Sequence, residues 1–228
     1  MATLNASKWG YIQGVSSTSF VTAAQNGFSV ANNPSADDYD AITYTAVSGR
    51  GTLTHNIIRT YAYFDTSSIT DTVTACTLNI EGYATDLSDI YVIKSTAFGG
   101  DGSSSLTTGE FYNSLDYGTT YSFEITSWST SSNNSIALKD DALTAMTSNN
   151  HLILALVNAD YDYAKFGSAV TIVERSGIAF GTTFYLNYQT SLAPTGVTDL
   201  VIGVSTANIS KIYGTDYVDI SKIYEKST

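Results

Sequence analysis

The chain has 228 residues, of which 43% are hydrophobic and only 14% are charged. This balance predicts a folded protein with one sizeable core and excludes a disordered chain. The formal net charge of −11, with no cluster of Lys and Arg to offset it, argues against nucleic acid as a partner. The opening residues resemble no signal peptide and no apolar run approaches the roughly 20 residues of a membrane span, so we expect synthesis in the cytoplasm and no membrane partner.

The first third of the chain is rich in turn-forming residues, and its polarity comes from Ser, Thr, Asn and Gly. We predict strands at 9–13, 18–22 and 40–47. The stretch VANNPSADDYD, before the third of these, has the composition of a loop.

Two stretches near the middle alternate with a period of two residues, which predicts half-buried strands. The second stretch, TVTACTLNIEGY, sets Cys76, Leu78 and Ile80 against polar neighbours. The turn-rich DTSSITD between the stretches favours a hairpin-like connection. The first stretch, NIIRTYAYFDTSSI, divides into two faces, namely Ile58, Thr60, Ala62 and Phe64 against Arg59, Tyr61, Tyr63 and Asp65.

Further strands are predicted at IYVIKSTAF (90–98) and YSFEITSW (121–128), and a helix follows. In SIALKDDALTAMTSNN, Ser135 is a candidate N-cap, and apolar residues recur behind it at helical spacing. The near-continuous apolar run HLILALVNA predicts a central strand. AVTIVERS and TTFYLNYQT complete the set.

We therefore expect an all-β fold, a jelly-roll-like antiparallel β-sandwich with one short helix and a C-terminal repeat appendage. The sandwich is assigned to 1–191, a linker with a short apolar segment to 192–204, and a duplicated tail to 205–228. The tail repeats Ile-Ser-Lys-Ile-Tyr at 209–213 and at 220–224.

The duplicated tail predicts an assembly interface. Burying an aliphatic or aromatic side chain is worth about 1.5–3 kcal/mol, and a bare cluster of them is an aggregation liability. We therefore expect the tail to dock on another chain or to join copies into a homo-oligomer, with a trimer as one option. The alternative is that the tail folds back on its own sandwich. The interface residues are Ile209, Ile212, Tyr213, Ile220, Ile223 and Tyr224.

The stretch RTYAYFDTSSITDTVTACTLNIEGY resembles the start of DNRLRE-type β-sandwich modules, which are similar to jelly-roll carbohydrate-binding modules. The resemblance covers roughly residues 55–190. The tail is similar to short C-terminal repeats of phage tail, fibre and capsid-associated proteins. Together these resemblances imply a virion protein with capsid or tail proteins as partners. The matched positions are Arg59, Phe64, Asp65, Ser67, Ile69, Ala75 and Leu78.

The sequence predicts no catalytic, cofactor-binding or metal-binding residues. His55 and His151 stand at strand starts, where backbone partners would satisfy them, and Cys76 falls on the apolar face of its strand. Paired acids occur at 37–40, at 140–141 and at 160–162, and we interpret them as solvated. The open alternatives are a polysaccharide-degrading enzyme with two placed carboxylates and a calcium ion at NADYD.

Tyrosines in turns suggest a glycan as a possible partner, because flat rings can stack on sugar faces. The candidate contacts are Tyr39, Tyr161 and Tyr163, with Trp9 and Trp128 as further platform candidates. We expect a non-enzymatic structural protein on the surface of a bacteriophage virion, as head decoration, head fibre or tail-fibre component. The alternative is a carbohydrate-binding adhesin.

Overall fold

The computed structural model describes residues 1–33, 39–48, 52–85, 89–164, 176–191, 211–212 and 215–216. By its internal contacts the chain divides into two units, Met1–Ser191 and Leu192–Thr228. None of the helices among the described residues is both long and apolar enough to cross a membrane.

The fold is all-β, and every pairing between the described strands is antiparallel. The strands are β1 Ala2–Asn5, β2 Lys8–Ser16, β3 Gly27–Asn32, β4 Tyr39–Ser48, β5 Thr52–Asp65, β6 Val73–Thr85, β7 Ile90–Ser95, β8 Leu115–Thr120, β9 Asn133–Ala137, β10 His151–Asn158, β11 Ser176–Thr190, β12 Lys211–Ile212 and β13 Thr215–Asp216. The helices are α1 Phe20–Gln25, α2 Glu110–Asn113 and α3 Asp140–Ser148, together with a 3-10 turn, Phe98–Gly100, and a π-helical turn, Ala159–Tyr163.

The strands of the first unit form a sandwich of two layers. One layer runs in the order β8-β7-β10-β5-β2-β3, and the other in the order β1-β11-β6-β9. Strand β4 pairs with β5 through 42–48 and with β11 through 39–43, so it passes from one layer to the other. Strands that change layers in this way form the corners of sandwiches. The antiparallel β-sandwich expected from the sequence is confirmed.

An inner core fills the space between the layers. Leu152, Leu154 and Leu156 of β10 face Leu78 and Ile80 of β6 in one buried cluster. Helix α3 closes one end of this cluster with Ala142 and Met146.

An outer core covers the opposite face of the β5 layer. Ile153, Ala155 and Val157 of β10 point into it, and Phe20 and Phe111 come from α1 and α2. Strand β10 is therefore buried on both faces, as its near-continuous apolar run predicted. The strand expected at 56–65 is confirmed within β5, but the half-burial expected of it is wrong for the same reason. Arg59 and Tyr61, on the supposedly polar face, are fully buried beneath the outer layer.

Several local predictions are corrected by the structure. Residues 18–22 are not a strand, because Ser19 caps α1 by accepting a hydrogen bond from the Thr22 amide. Ser135 lies inside β9, and the helix begins only at Asp140. The stretch 121–128 contributes a single bridge, Ile90 to Ile125. In the part of the sheet described, β5 and β6 lie in different layers and form no hairpin.

Other local predictions are confirmed, are wrong in part, or concern residues that the structure does not describe. Strands at 9–13, 40–47 and 182–190 are confirmed within β2, β4 and β11. The loop expected before β4 is wrong in part, because β3 extends to Asn32. Of AVTIVERS only Ser176 is described, at the start of β11.

In the second unit the description covers only β12 and β13. Lys211 pairs with Asp216 and Ile212 with Thr215, so the end of the first repeat pairs with the residues that follow it. Of the predicted interface residues, only the backbone of Ile212 is described. The other five lie outside the described residues.

Candidate functional site

A buried ion pair lies at the centre of the outer core. Arg59, on β5, donates from Nε to Oδ2 of Asp162 and from Nη2 to Oδ1, each at 2.7 Å. Both side chains are within 1% of full burial. This two-pronged geometry is the strongest that an arginine and a carboxylate can adopt.

The remaining Arg59 donors bind the layer that covers them. Nη1 donates to the Phe111 carbonyl at 2.7 Å, and Nη2 donates to the Ala24 carbonyl at 3.0 Å. The guanidinium also lies 4.0 Å from the centre of the Phe111 ring. Burial by itself would lower the pKa of Arg59, but the Asp162 carboxylate outweighs it and holds that pKa above its usual range. One arginine thus joins α1, α2 and the π-helical turn to β5.

The π-helical turn directly follows the buried strand β10. Asn158 begins it by accepting a hydrogen bond from the Tyr161 amide at 2.8 Å, and the Ala164 amide closes it on the Ala159 carbonyl at 2.9 Å. Asp162 points inward to Arg59, while Tyr161 and Tyr163 on either side of it are half-buried. The ion pair therefore fixes the positions of both tyrosines.

Three tyrosine rings from separate elements meet beside this turn. Tyr163 lies 4.5 Å from Tyr91 on β7 and 5.9 Å from Tyr117 on β8, measured between ring centres. Its hydroxyl donates to the Tyr117 carbonyl, and the Tyr117 hydroxyl donates to Asp162 Oδ1, both at 3.1 Å. Burial, followed by the Asp162 charge, raises the pKa of Tyr117 well above its usual value. The raised pKa keeps the Tyr117 hydroxyl protonated as a donor to Asp162, and the two hydrogen bonds tie Tyr117 and Tyr163 to the turn.

Three carboxylates lie next to the tyrosine rings. Asp89, Glu124 and Asp160 each offer an oxygen within 4.8 Å of the others, and the Tyr91 hydroxyl donates to Glu124 at 3.0 Å. Desolvation, then the Asp160 and Glu124 charges, raise the pKa of Asp89. The combination of Tyr91, Tyr117, Tyr161 and Tyr163 with these acids is called the tyrosine–carboxylate cluster below.

The calcium alternative depended on NADYD, and the structure separates its two acids. Asp160 joins Asp89 and Glu124, whereas Asp162 is committed to Arg59. Three carboxylate oxygens are ligands of the type that Ca²⁺ accepts. Exposed acidic groups are also common without a metal ion, and no ion is assigned to these three.

The structure brings some of the predicted glycan contacts together. Tyr161 and Tyr163 share the π-helical turn, while Tyr39 pairs with Phe180 at the start of β4, and its side chain lies outside the description. Trp9 and Trp128 pack against the inner core, so they belong to no common platform with this turn. Sequence reasoning missed Tyr91 and Tyr117, since a tyrosine in an alternating strand gives no sign of what lies beside it.

The residues considered for catalysis are widely separated. His55 lies inside β5, and His151 pairs with Asp65 at the other end of that strand, about 33 Å away at strand spacing. Burial lowers the pKa of His55. Cys76 is buried in the inner core, where desolvation raises its pKa to about 12. It is the small core residue that its position in the alternation predicted.

The structure also gives the positions of two of the remaining paired acids. Asp140 and Asp141 are exposed in the first turn of α3. Asp37 and Asp38 lie outside the described residues, as does the side chain of Asp40. Comparison with known proteins finds no family model that matches the chain and no significant match among curated proteins.

Proposed function

We propose that the protein is a non-enzymatic structural protein of a bacteriophage particle. It is displayed on the particle surface as head decoration, head fibre or a tail-fibre-associated component, and its C-terminal segment attaches it. The observation that carries the proposal is the duplicated Ile-Ser-Lys-Ile-Tyr segment in a unit separate from the sandwich. Two copies of an aliphatic and aromatic motif favour burial against other chains. The partners are capsid or tail proteins and further copies of the chain.

The assembly role is tested in the full-length chain by charging the apolar positions of both repeats. We expect the double variant Ile212→Asp, Ile223→Asp to lose the oligomer that the unaltered chain forms, because a carboxylate at a buried interface is strongly unfavourable. The matched control is Ser210→Asp, Ser221→Asp, which adds the same charge at polar positions. Sedimentation velocity gives the mass, and negative-stain images distinguish a trimer from a ring.

The outcomes of this experiment distinguish assembly through the tail from a tail that folds back on its own sandwich. A monomeric unaltered chain at high concentration contradicts the assembly role, as does an oligomer that survives the Ile variants. A mass that stays monomeric while the Ile variants lower only the melting temperature would indicate that the tail folds back on its own sandwich.

Glycan binding is a second candidate function, and the tyrosine–carboxylate cluster favours it. Partly exposed tyrosine rings offer apolar faces with polar edges, and the carboxylates beside them are acceptors for sugar hydroxyls. A particle protein with such a surface would act as the adhesive part of the virion.

A glycan array probed with the full-length chain tests this second function. We expect Tyr163→Ala to abolish any binding that the array detects. Phe28→Ala is the matched control, because Phe28 is an aromatic residue on β3 that is 72% exposed. Equal binding by both variants, or no binding by the unaltered chain, would reject the adhesin.

A further inference from the structure

A groove lies between β9 and the extended stretch that precedes it in the chain. It encloses about 440 Å³, and its walls are residues 122–127 on one side and β9 itself on the other. Strand β9 ends its layer, since its one strand partner among the described residues is β6. The groove therefore runs along the outer edge of a sheet.

The backbone groups facing the groove follow from the pairing of β9. The Leu138 amide binds the Cys76 carbonyl, and the Ser132 carbonyl accepts from the Gly82 amide. Even-numbered residues of β9 are thus directed to β6, and alternation along an antiparallel strand directs Asn133, Ser135 and Ala137 outward. Their amides and carbonyls line the groove.

The opposite wall, residues 122–127, also directs backbone amides and carbonyls towards the groove. The Ile125 amide donates to the Ile90 carbonyl of β7 at 2.9 Å, and the Ile125 carbonyl accepts from the Ile90 amide at 3.2 Å. The neighbouring residues Glu124 and Thr126 therefore direct theirs away from β7, towards the groove. The two walls meet at one end of the groove, where the Lys139 amide donates to the Tyr121 carbonyl at 2.8 Å. Between residues 122–127 and β9 themselves, the described backbone bonds include none. From the Tyr121 end the two edges therefore diverge, and the space between them is where a further strand could pair.

Nothing in β9 protects its edge against pairing. Edge strands usually carry charged residues or proline that block an added strand. The sequence of β9, Asn-Asn-Ser-Ile-Ala, contains neither. At the rim of the groove, Phe123 is 77% exposed, and one face of its ring lies 4.6 Å from Lys139 Nζ.

We propose that this groove binds the Ile-Ser-Lys-Ile-Tyr segment of a second copy as an added β-strand. The proposal rests on the assembly role proposed above and names the surface that receives the tail. Strand addition would supply main-chain hydrogen bonds from both walls, and Phe123 would give the incoming Ile and Tyr side chains an apolar contact.

The chemistry of the segment fits this groove. Each five-residue repeat matches the length of β9 and is rich in β-forming residues. The one charged residue lining the groove is Glu124, and each repeat carries one lysine, Lys211 or Lys222. Residues 192–208, which connect the sandwich to the first repeat, reach at most roughly 55 Å. That length allows a repeat to reach a neighbouring copy.

Hydrogen exchange on the full-length chain tests the proposal at single amides. At concentrations where the chain is oligomeric, we expect the Ser135 and Ala137 amides to exchange at least about tenfold more slowly than in the Ile212→Asp, Ile223→Asp variant. The Asn134 and Ile136 amides, directed to β6, are internal controls and should be equally protected in both. Slow outward amides that become fast in the variant support the proposal.

A substitution on β9 provides the second readout. Ser135→Pro removes an outward amide and leaves the backbone bonds to β6 in place, and proline is tolerated at such edge positions. It also removes the hydroxyl that donates to Asn79 Oδ1 on β6 at 2.7 Å. We expect Ser135→Pro to lower the oligomeric mass, while the control Ser135→Ala, which loses the same hydroxyl but keeps the amide, keeps the mass. If the proline variant fails to fold, the exchange experiment still decides.

Four outcomes would overturn the proposal. If the Ile variant dissociates the oligomer but outward amides exchange rapidly in both chains, the tail docks elsewhere and the assembly role survives. If the Ile variant leaves the mass unchanged, the assembly role itself fails. Protection that depends on the tail in a monomer would place the segment on its own sandwich, and protection independent of the tail would indicate another strand, such as β9 of a second copy.

Discussion

The two cores of the sandwich unit use the same strand in different ways. Strand β10 directs Leu152, Leu154 and Leu156 into the inner core, which lies between two sheet layers, and its alternate residues into the outer core. The inner core contains a large cluster of aliphatic and aromatic side chains. The outer core contains the Arg59–Asp162 ion pair, and its cover consists of short helices and connecting segments. The paired strands of the inner core are held by main-chain hydrogen bonds and hydrophobic burial. The irregular cover of the outer core combines hydrophobic burial with a polar anchor that has several donors.

The largest expected effect comes from removing that anchor. We expect Asp162→Asn to lower the free energy of unfolding by about 3–5 kcal/mol, because it leaves the Arg59 charge buried without its partner. Asp160→Asn is the matched control two residues earlier, on an exposed side chain, and should change stability little. Urea unfolding of the two variants gives the comparison.

Replacing both partners sharpens the same prediction. The double variant Arg59→Met, Asp162→Leu should recover much of the lost stability, because apolar groups can replace a buried ion pair at little cost. A small effect of Asp162→Asn alone would mean that the ion pair does not anchor the cover.

The next effect compares cavities in the two cores. We expect Leu154→Ala and Ile153→Ala each to lower the free energy of unfolding by about 2–5 kcal/mol, with Leu154→Ala at the upper end. The cost of a cavity depends on how far its surroundings can collapse, and short covering segments can move more easily than paired strands. An equal loss measured by urea unfolding would show that the two cores are equally rigid.

A smaller effect is expected at the edge of the cover. Ser19 Oγ accepts a hydrogen bond from the Thr22 amide at 3.1 Å and begins α1. Ser19→Ala should cost about 1 kcal/mol, whereas Ser17→Ala, at an exposed neighbouring position, should be close to neutral. Thermal unfolding measures both. A loss from Ser17→Ala as large as that from Ser19→Ala would contradict the capping role.

The smallest expected effect is a pH dependence of stability caused by Asp89, which lies beside the outer core. The folded state raises the pKa of Asp89, first by desolvation and then through Asp160 and Glu124, so folding favours the protonated form. The corresponding stability is present below the ordinary pKa and is lost as pH rises through the raised value. Relative to Asp89→Asn, the unaltered chain should therefore gain stability as pH falls from 7 to 4. Urea midpoints across this range measure the difference, and parallel profiles would contradict it.

The inner core was largely predictable from the sequence, because its strands carry their own evidence. Alternation identified β6, and the continuous apolar run identified β10. The layers themselves were harder to assign. The turn before Val73 suggested a hairpin of β5 with β6, but strand order depends on β4 pairing with both layers. No local pattern records such a long-range pairing.

The outer core was missed for a physical reason. In β5, Arg59 and Tyr61 alternate with apolar residues as solvent-facing residues do, and only the covering layer buries them. Helix α1 has six residues, Phe-Val-Thr-Ala-Ala-Gln, too few for helical periodicity to outweigh the β-forming residues at its start. The tyrosine–carboxylate cluster combines four separate stretches of sequence, so only Tyr161 and Tyr163, which share a turn, could be paired in advance.

Strand β1 has a consequence for engineering the sandwich. It runs antiparallel beside the end of β11, with Ala2 opposite Tyr188, so Met1 and Ser191 lie at the same end of one ladder. When the first and last residues of a unit are neighbours, circular permutation of that unit is feasible. A short peptide linking Ser191 to Met1, with new ends opened in the turn before β6, would preserve the strand order and move the attachment point of any fused segment to the opposite layer.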